Sequence, residues 1–442
     1  MGVVADGDSL TSRVGSAAVA QLADRIGLTA GLSGAVAGRT TRRSAIDDGR
    51  VLRDLAVMLV DGGDAVSDLG ALRDQPALFG EVASDSTAAR VVAAIGPDEL
   101  EAIREVRAAA RARAWALGAA PGRIVIDVDA SLVDAHSEKE GAAATWKRGY
   151  GFHPMLAFCE GSREALGAIL RPGNAGSNTA IDQLCVVAEA LRQLPAAIVA
   201  GATAEDAAED DRIVVRTDSA GASHVFLNDV RELGLRFSVG FPIDEPLRAT
   251  ILALPASAWR PALGRDDSDR DGAWVAELDT DQIPAGWPVG ARLIVRRERP
   301  HPGAQLSFTD ADGHRFQVVI CDRQGDPRAL ERDHRARGDA ENRVRNAKDC
   351  GLRNLPFHAF DRNEVWLELV LIALDLLAWT QALLLDGALA SAEPKTLRYR
   401  LLHVAGRITQ HGRLLTLHIP RRWPWRDALL NAARRLTALP AT

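Results

Sequence analysis

Along the first 118 residues, apolar positions recur at the three- and four-residue spacing of amphipathic helices. The stretch LTSRVGSAAVAQLADRIG (10–27) has this period, and GRVLRDLAVMLVDGG (49–63) repeats it. In PDELEAIREVRAAARARAWALG (97–118), Pro97 and the acids behind it mark a helix start. Thr40-Thr41-Arg42-Arg43-Ser44 is a polar break between helices. These patterns predict a helical N-terminal region. Helical pairs here could enter a DNA groove, yet no turn is specific enough to define a helix-turn-helix.

After residue 118 the period falls to two. RIVIDVD (123–129) predicts a strand ending in Asp127 and Asp129, with both carboxylates on one face. GYGFHPMLAFCE (149–160) and REALGAILRPG (163–173) predict two more strands, joined as a hairpin by Glu160-Gly161-Ser162. A helix over 180–194 follows, then a buried strand RIVVRTD (212–218) ending in Asp218, a helix near 221–233 and a strand LRFSVGF (235–241). This order predicts an open mixed α/β sheet, whose site lies beyond strand ends.

From 252 to 323 strands return as WVAEL (274–278), ARLIVRRE (291–298), AQLSFTD (304–310) and HRFQVVIC (314–321). Turns such as Pro284-Ala285-Gly286 and Asp310-Ala311-Asp312-Gly313 separate them, and they predict a small β domain of their own. A helix opening at Glu331, an apolar helix over 364–386, a helix near 394–407 and a strand LLTLHI (414–419) complete the chain. Glu368 and Asp375 interrupt the apolar helix, which therefore reads as buried in protein and not in a membrane.

Composition and charge narrow the class. With 442 residues the chain is too long for one simple core, and 47% apolar content argues against disorder. The net charge of -6 argues against indiscriminate nucleic-acid binding. From Lys395 to Arg435, however, ten Lys/Arg and the single acid Asp427 give +9, leaving -15 for the rest. That asymmetry reads as an acidic body with a basic tail surface. Within the tail, Arg421, Arg422 and Arg426 interleave with Trp423 and Trp425. The pattern suits base stacking and phosphate contact, and equally the anchoring of a C-terminal helix. The four cysteines are scattered without zinc or disulfide spacing, as in a reducing cytosol. The N-terminus lacks a basic-then-apolar signal, and no apolar run approaches the about 20 residues that span a bilayer. The glycines form neither a Walker loop nor a dinucleotide fingerprint.

Three carboxylates stand out: Asp129 with Asp127 beside it, Asp218, and Glu341. In ERDHRARGDAENRVRNAKDCGLR (331–353), His334, Arg337, Glu341 and Lys348 are spaced by three, four and seven residues. One continuous helix would carry all four on a single face. An acid held among bases stays ionised and can bind a divalent metal. The plain alternative is a solvated helix with ion pairs. For a strand-end aspartate the alternative is a helix cap, as Asp218 before Ser219-Ala220-Gly221 could be. Taken together, three converging carboxylates without a His or Cys partner favour a hard cation over zinc. Two magnesium ions on such a cluster would activate a water and stabilise a leaving oxygen in phosphoryl transfer. His136 and His153 read as ordinary strand or loop histidines. Arg171-Pro172-Gly173-Asn174 is either a plain turn or a loop near the metal site.

At these residues the chain resembles a DDE transposase of a bacterial insertion sequence, of the hairpin-forming cut-and-paste branch (insertion-sequence family 1380-like). In that branch the third acid sits in Tyr-x2-Arg-x3-Glu-x6-Lys. Here His334-x2-Arg337-x3-Glu341-x6-Lys348 matches three positions of four, with histidine where the pattern has tyrosine. The family's first aspartate precedes a small residue and then Thr or Ser. Asp129-Ala130-Ser131 fits and Asp127-Val128-Asp129 does not. RVLRDLAVMLVDGGDAVSDL, VASDSTAARV, GFHPMLAF and LRPGN are similar to one subgroup of these transposases.

The resemblance implies an RNase H-like mixed sheet core interrupted by a β-strand insertion, with a helical N-terminal domain and a basic C-terminal region. The divisions fall at 1–118 (helical; DNA end binding and assembly), 119–251 (core, first part), 252–323 (β insertion), 324–390 (core, second part) and 391–442 (basic region). It implies DNA cleavage and strand transfer at terminal inverted repeats, through a hairpin at the DNA end. Asp129, Asp218 and Glu341 would hold two Mg²⁺, with Mn²⁺ able to substitute. His334, Arg337 and Lys348 would contact phosphates. Partners would be inverted-repeat and target DNA and a second copy of the chain, in the bacterial cytoplasm at the nucleoid. Making the DNA hairpin unstacks a base, and Trp287, in a turn ahead of Arg296 and Arg297, is the candidate to hold it. Packing over its own hairpin is the alternative for Trp287. A domesticated DNA-binding relative, or an RNase H-like nuclease without strand transfer, are the competing functions.

Overall fold

The computed structural model describes residues 9–37, 46–135, 138–176, 179–279, 286–300, 303, 310–412 and 414–440. The polar break at 40–44, His136, and all but the last residue of the expected strand 304–310 lie outside the described residues.

A ten-stranded mixed sheet organises the molecule. Nine of its strands are labelled in chain order: β1 (Val125–Ala130), β2 (Met155–Cys159), β3 (Ala165–Ile169), β4 (Val214–Thr217), β5 (Arg236–Phe241), β6 (Arg260–Leu263), β7 (Asp269–Leu278), β8 (Arg292–Glu298) and β9 (His314–Cys321). Their spatial order is β6-β7-β8-β9-β5-β4-β1-β2-β3, and the short Asp310–Ala311 strand pairs with β9. Only β1, β4 and β5 run parallel to one another; every other neighbour is antiparallel. β1 and β4 are short strands whose first four residues are buried, as in parallel strands covered by helices. The strands between 260 and 321 do not form a sheet of their own. β9 pairs with β5 from Val318 opposite Phe241 to Cys321 opposite Ser238, so they extend the central sheet.

The expected strand over 149–160 is two strands. Tyr150–Phe152 belongs to a small separate sheet and β2 to the large one. The break falls at His153-Pro154, where proline has no N–H to continue a ladder.

Helices carry the rest of the core. The principal ones are α1 (Asp48–Asp61), α2 (Pro97–Ala114), α3 (Ala180–Arg192), α4 (His224–Glu232), α5 (Pro327–Arg335), α6 (Gly338–Ala347), α7 (Phe360–Leu384) and α8 (Arg426–Ala438). α2 starts as its sequence signals, with Pro97 in the first turn and Glu99 Oε2 accepting from Gly96 N at 2.9 Å. α7 is long and apolar enough to cross a bilayer, but 94% of its most apolar window is buried inside the protein. It packs against α1, α2 and β3. Two of its acids, Glu368 and Asp375, answer two arginines of α2. Asp375 accepts from Arg111 Nη2 at 2.5 Å, and Glu368 pairs with Arg107 Nε at 2.7 Å. Glu164, just ahead of β3, joins the network by accepting from Arg111 Nε at 2.9 Å, Trp115 Nε1 at 2.8 Å and Trp379 Nε1 at 2.6 Å. Every charged member is thus ion-paired, as buried charge requires, with Arg107 Nε and Glu368 Oε1 facing each other outside hydrogen-bond geometry.

The stretch 331–353 is not one helix. α5 ends at Arg335 and α6 begins at Gly338. Between them the bonds tighten to i→i+3: Arg337 N donates to His334 O at 2.9 Å and Ala340 N to Arg337 O at 2.7 Å. After Ala347 the chain widens into a π turn over Lys348–Leu352, relieved by Gly351 at φ 102°. The single-face spacing of His334, Arg337, Glu341 and Lys348 is therefore broken once, between α5 and α6, and the π turn begins only at Lys348.

Candidate active site

The in-register pairing of β1 with β4 sets the site. The parallel ladder runs from Val125 opposite Val214 to Asp127 opposite Arg216. Asp129 and Asp218 each lie two residues beyond that last pair, so both reach the same edge on neighbouring strands about 5 Å apart. Asp218 also caps the short Ser219–Gly221 turn, its Oδ1 accepting from Ala220 N at 3.0 Å. Gly240 on β5 allows this turn to sit close. A Cβ there would lie 2.9 Å from Ser219 N.

Arg337, at the break between α5 and α6, touches both aspartates. Its Nη2 lies 3.2 Å from Asp129 Oδ1 and 3.8 Å from Asp218 Oδ2. Burial raises the Asp129 carboxyl, Arg337 opposes that shift, and the negative charges of Asp218 and Glu341 add to it. Asp218 and Glu341 thus both act electrostatically on Asp129. Glu341 stands on the first turn of α6, exposed to solvent. Among the described residues, no three His, Cys, Asp or Glu side chains are close enough together to hold a metal ion.

Asp127 has a different neighbourhood. It is 2% exposed, and Arg216 grips it with Nε at 2.6 Å from Oδ1 and Nη2 at 2.8 Å from Oδ2. Arg216 Nη2 also pairs with Glu160 at 3.1 Å and its Nη1 donates to Asp333 O. Asp127 is committed to an ion pair that ties β1, β2, β4 and α5 together.

Two adjoining hollows meet at Asp218, Ser219 and Pro242. The first, about 510 Å³, also holds Asp129, Trp146, His153 and Gln183. The second, about 360 Å³, holds Arg296, His334 and Arg337. His334 Nδ1 is 3.0 Å from Ser238 Oγ. Burial, with Arg216, Arg337 and Arg296 around it, pushes the imidazole down to about 3. At neutral pH it is uncharged, so any phosphate contact from it is a neutral hydrogen bond. His153 Nδ1 lies 2.9 Å from Ala175 O, and its ring is held below the usual range chiefly by burial. Lys348 is half-buried; burial lowers its ammonium, Asp134 opposes that, and Lys147 and Arg353 reinforce it.

Trp287 and the tail arginines are not among the residues lining these hollows. Trp287 packs on the body of the protein, its ring 4.4 Å from the His224 ring and 4.9 Å from that of Phe241. The arginines after it are engaged too. Arg296 pairs with Glu331 at 2.9 Å, and Arg297 stacks 4.3 Å from the Trp259 ring. Arg421, Arg422 and Arg426 are exposed at the start of α8. Trp423 and Trp425 pack on each other and on Tyr399, with Trp423 Nε1 donating to Arg400 O at 2.8 Å. Sequence reasoning passed over Trp146, whose only signal was an aromatic followed by Lys147-Arg148-Gly149.

The match to a family model makes the chain a transposase. The chain belongs to the family "Transposase DDE domain group 1", whose model matches residues 1–441. Membership makes it a transposase, and DDE transposases generally use divalent metal ions. No curated protein sequence matches it. It is similar to a chain in the cryo-EM structure of the piggyBac transposase synaptic complex with hairpin DNA. That likeness has 10% sequence identity and a TM-score of 0.41, over 87% of this chain and 77% of that one.

Proposed function

We propose that this transposase belongs to a bacterial insertion sequence, cleaves DNA at terminal inverted repeats and joins the freed ends to target DNA, by the hairpin-forming cut-and-paste route. The observation that carries this reading is the pair Asp129 and Asp218, two residues beyond an in-register parallel ladder, with Arg337 touching both. The strand order β3-β2-β1-β4-β5, with β1, β4 and β5 parallel, supports an RNase H-like core.

Hard carboxylate oxygens at two adjacent strand ends fit a magnesium site better than a softer metal. Glu341, on a solvent-exposed turn whose charge already acts on Asp129, would complete the set by approaching the pair. Bound there, magnesium would activate the attacking oxygen and stabilise the leaving one. Arg337 neutralises the carboxylates in the protein alone, and a scissile phosphate could take over that guanidinium. Lys348, half-buried on the turn after α6, would supply a second positive charge for the strand backbone. The enzyme would act as a dimer, because two element ends must be cut in step, and would work in the bacterial cytoplasm at the nucleoid.

The test is Asp218→Asn on a supercoiled plasmid carrying the element's own ends. Folding and DNA binding should persist, while Mg²⁺-dependent nicking falls at least about a thousandfold, as when a group needed in the transition state is removed. Nicking at the wild-type rate would exclude Asp218 from the site. Nicking without joined products in the wild type would leave a nuclease.

A further inference from the structure

Trp146 exposes 72% of its surface, whereas Trp115 exposes 6% and Trp259 8%. A tryptophan normally hides most of its large ring. This one opens instead into the hollow that holds Asp129 and Asp218. It stands at the tip of a hairpin formed by Ala143–Ala144 and Tyr150–Phe152. The next two residues, Lys147 and Arg148, are exposed, and neither pairs with a carboxylate among the described residues. Lys147 Nζ lies 4.9 Å from the Trp146 ring centre. Lys147 and Lys348 are close enough for their charges to act on one another.

The tip is held in shape. Thr145 N donates to Gly149 O at 2.9 Å and Arg148 N to Thr145 O at 3.0 Å, with Arg148 in the left-handed region at φ 62°. Gly149 N donates to Thr145 Oγ1 at 3.0 Å. The base of the hairpin is fixed as well. Glu140 N donates to His358 O at 2.9 Å, and Phe360 N to Glu140 Oε2 at 3.0 Å. The turn after β3 presses against it so closely that a Cβ on Gly173 would lie 2.4 Å from Ala143 O and 2.5 Å from Gly151 O. A rigid base, a solvent-open aromatic and two exposed cations beside a pair of strand-end acids make a platform for a nucleotide. Any base can stack on the ring, and the cations suit its phosphates.

We propose that hairpin 143–152 is a clamp: Trp146 stacks an unpaired base of the DNA end, and Lys147 and Arg148 hold the adjoining phosphates. The proposal rests on the reading of the neighbouring cleft as a site that cuts DNA ends. The test compares a short duplex with a single-stranded overhang against the same duplex blunt-ended. Each is titrated by fluorescence anisotropy with full-length wild type, Trp146→Ala and Trp146→Tyr. Wild type should prefer the overhang. Trp146→Ala should lose about tenfold in affinity for the overhang alone, within the range of one base–aromatic stack. Trp146→Tyr should keep most of it. Because the ring is exposed, melting temperature should not change. Unchanged overhang binding by Trp146→Ala, or equal loss on both duplexes, overturns the clamp and leaves the cutting site intact. Absence of DNA binding by the wild type overturns the broader reading first.

Discussion

Asp127 and Asp129 are two residues apart on one strand, and their neighbours separate their roles. Asp127 is sealed against the Arg216 guanidinium, while Asp129 meets Arg337 with its side chain 19% exposed at the lip of the cleft. Removing one partner of a buried bidentate pair leaves the other charge stranded. Asp127→Ala should therefore cost about 3–5 kcal/mol in urea unfolding. Asp129→Ala should cost clearly less, because Arg337 keeps Asp218 as a partner at 3.8 Å, yet it should silence cleavage. Equal losses of stability would mean that Asp129 too is a structural ion pair. Alternation along the strand put both carboxylates on one face. It could not say that Arg216, from the next strand, would claim the first of them.

Among the elements, α7 shows how a puzzling sequence becomes ordinary once its neighbours are known. Glu368 and Asp375 interrupt an apolar helix because Arg107 and Arg111 of α2 come to meet them. Asp375 also accepts from Ala165 N at 2.9 Å, which ties the helix to β3. Asp375→Ala should lower stability by about 3–5 kcal/mol, since two guanidinium groups and a backbone N–H lose an acceptor inside the core. Thermal denaturation followed by circular dichroism measures it. A loss below about 1 kcal/mol would mean that water replaces the carboxylate. The break between α5 and α6 teaches the reverse lesson. The periodicity of 331–353 was sound as a helical signal, but Arg337 reaches the two aspartates from a tightened turn between helices. Helical spacing assumes a continuous axis, and nothing in the residues themselves announced where that axis would shift.

At the scale of the whole molecule, one continuous set of buried apolar side chains runs from Ala17 to Leu436, joining the N-terminal helices, the sheet and α8. The acidic body and basic tail are therefore parts of one packed structure. At the tail, Trp423 and Trp425 are turned to packing, while Arg421, Arg422 and Arg426 stay in solvent. Replacing the three arginines by Ala should weaken DNA binding. It should also reduce the slope of log K against log[salt] by about 2–3, close to one counterion for each phosphate the arginines neutralise. Titrations over a range of salt concentrations measure the slope. An unchanged slope would leave the arginines with no role on DNA.

The sequence alone determined the elements whose cause is local. Short runs rich in apolar and β-branched residues placed β1, β4, β5, β8 and β9. Helical period with start signals placed α1 and α2, and the ends of two apolar strands pointed to Asp129 and Asp218. Only the tertiary structure decided what depends on who lies beside whom. It made β1 and β4 parallel neighbours in register, which puts the two aspartates at one edge. It joined the strands of 260–321 to the central sheet through β5, because an unpaired sheet edge must be covered or extended. It laid Trp287 on His224 and Phe241, and left Trp146 open over the cleft. Hydrophobic pattern is a property of one segment. Pairing, ion-pair choice and exposure belong to contacts between segments far apart in the chain, and those exist only once it has folded.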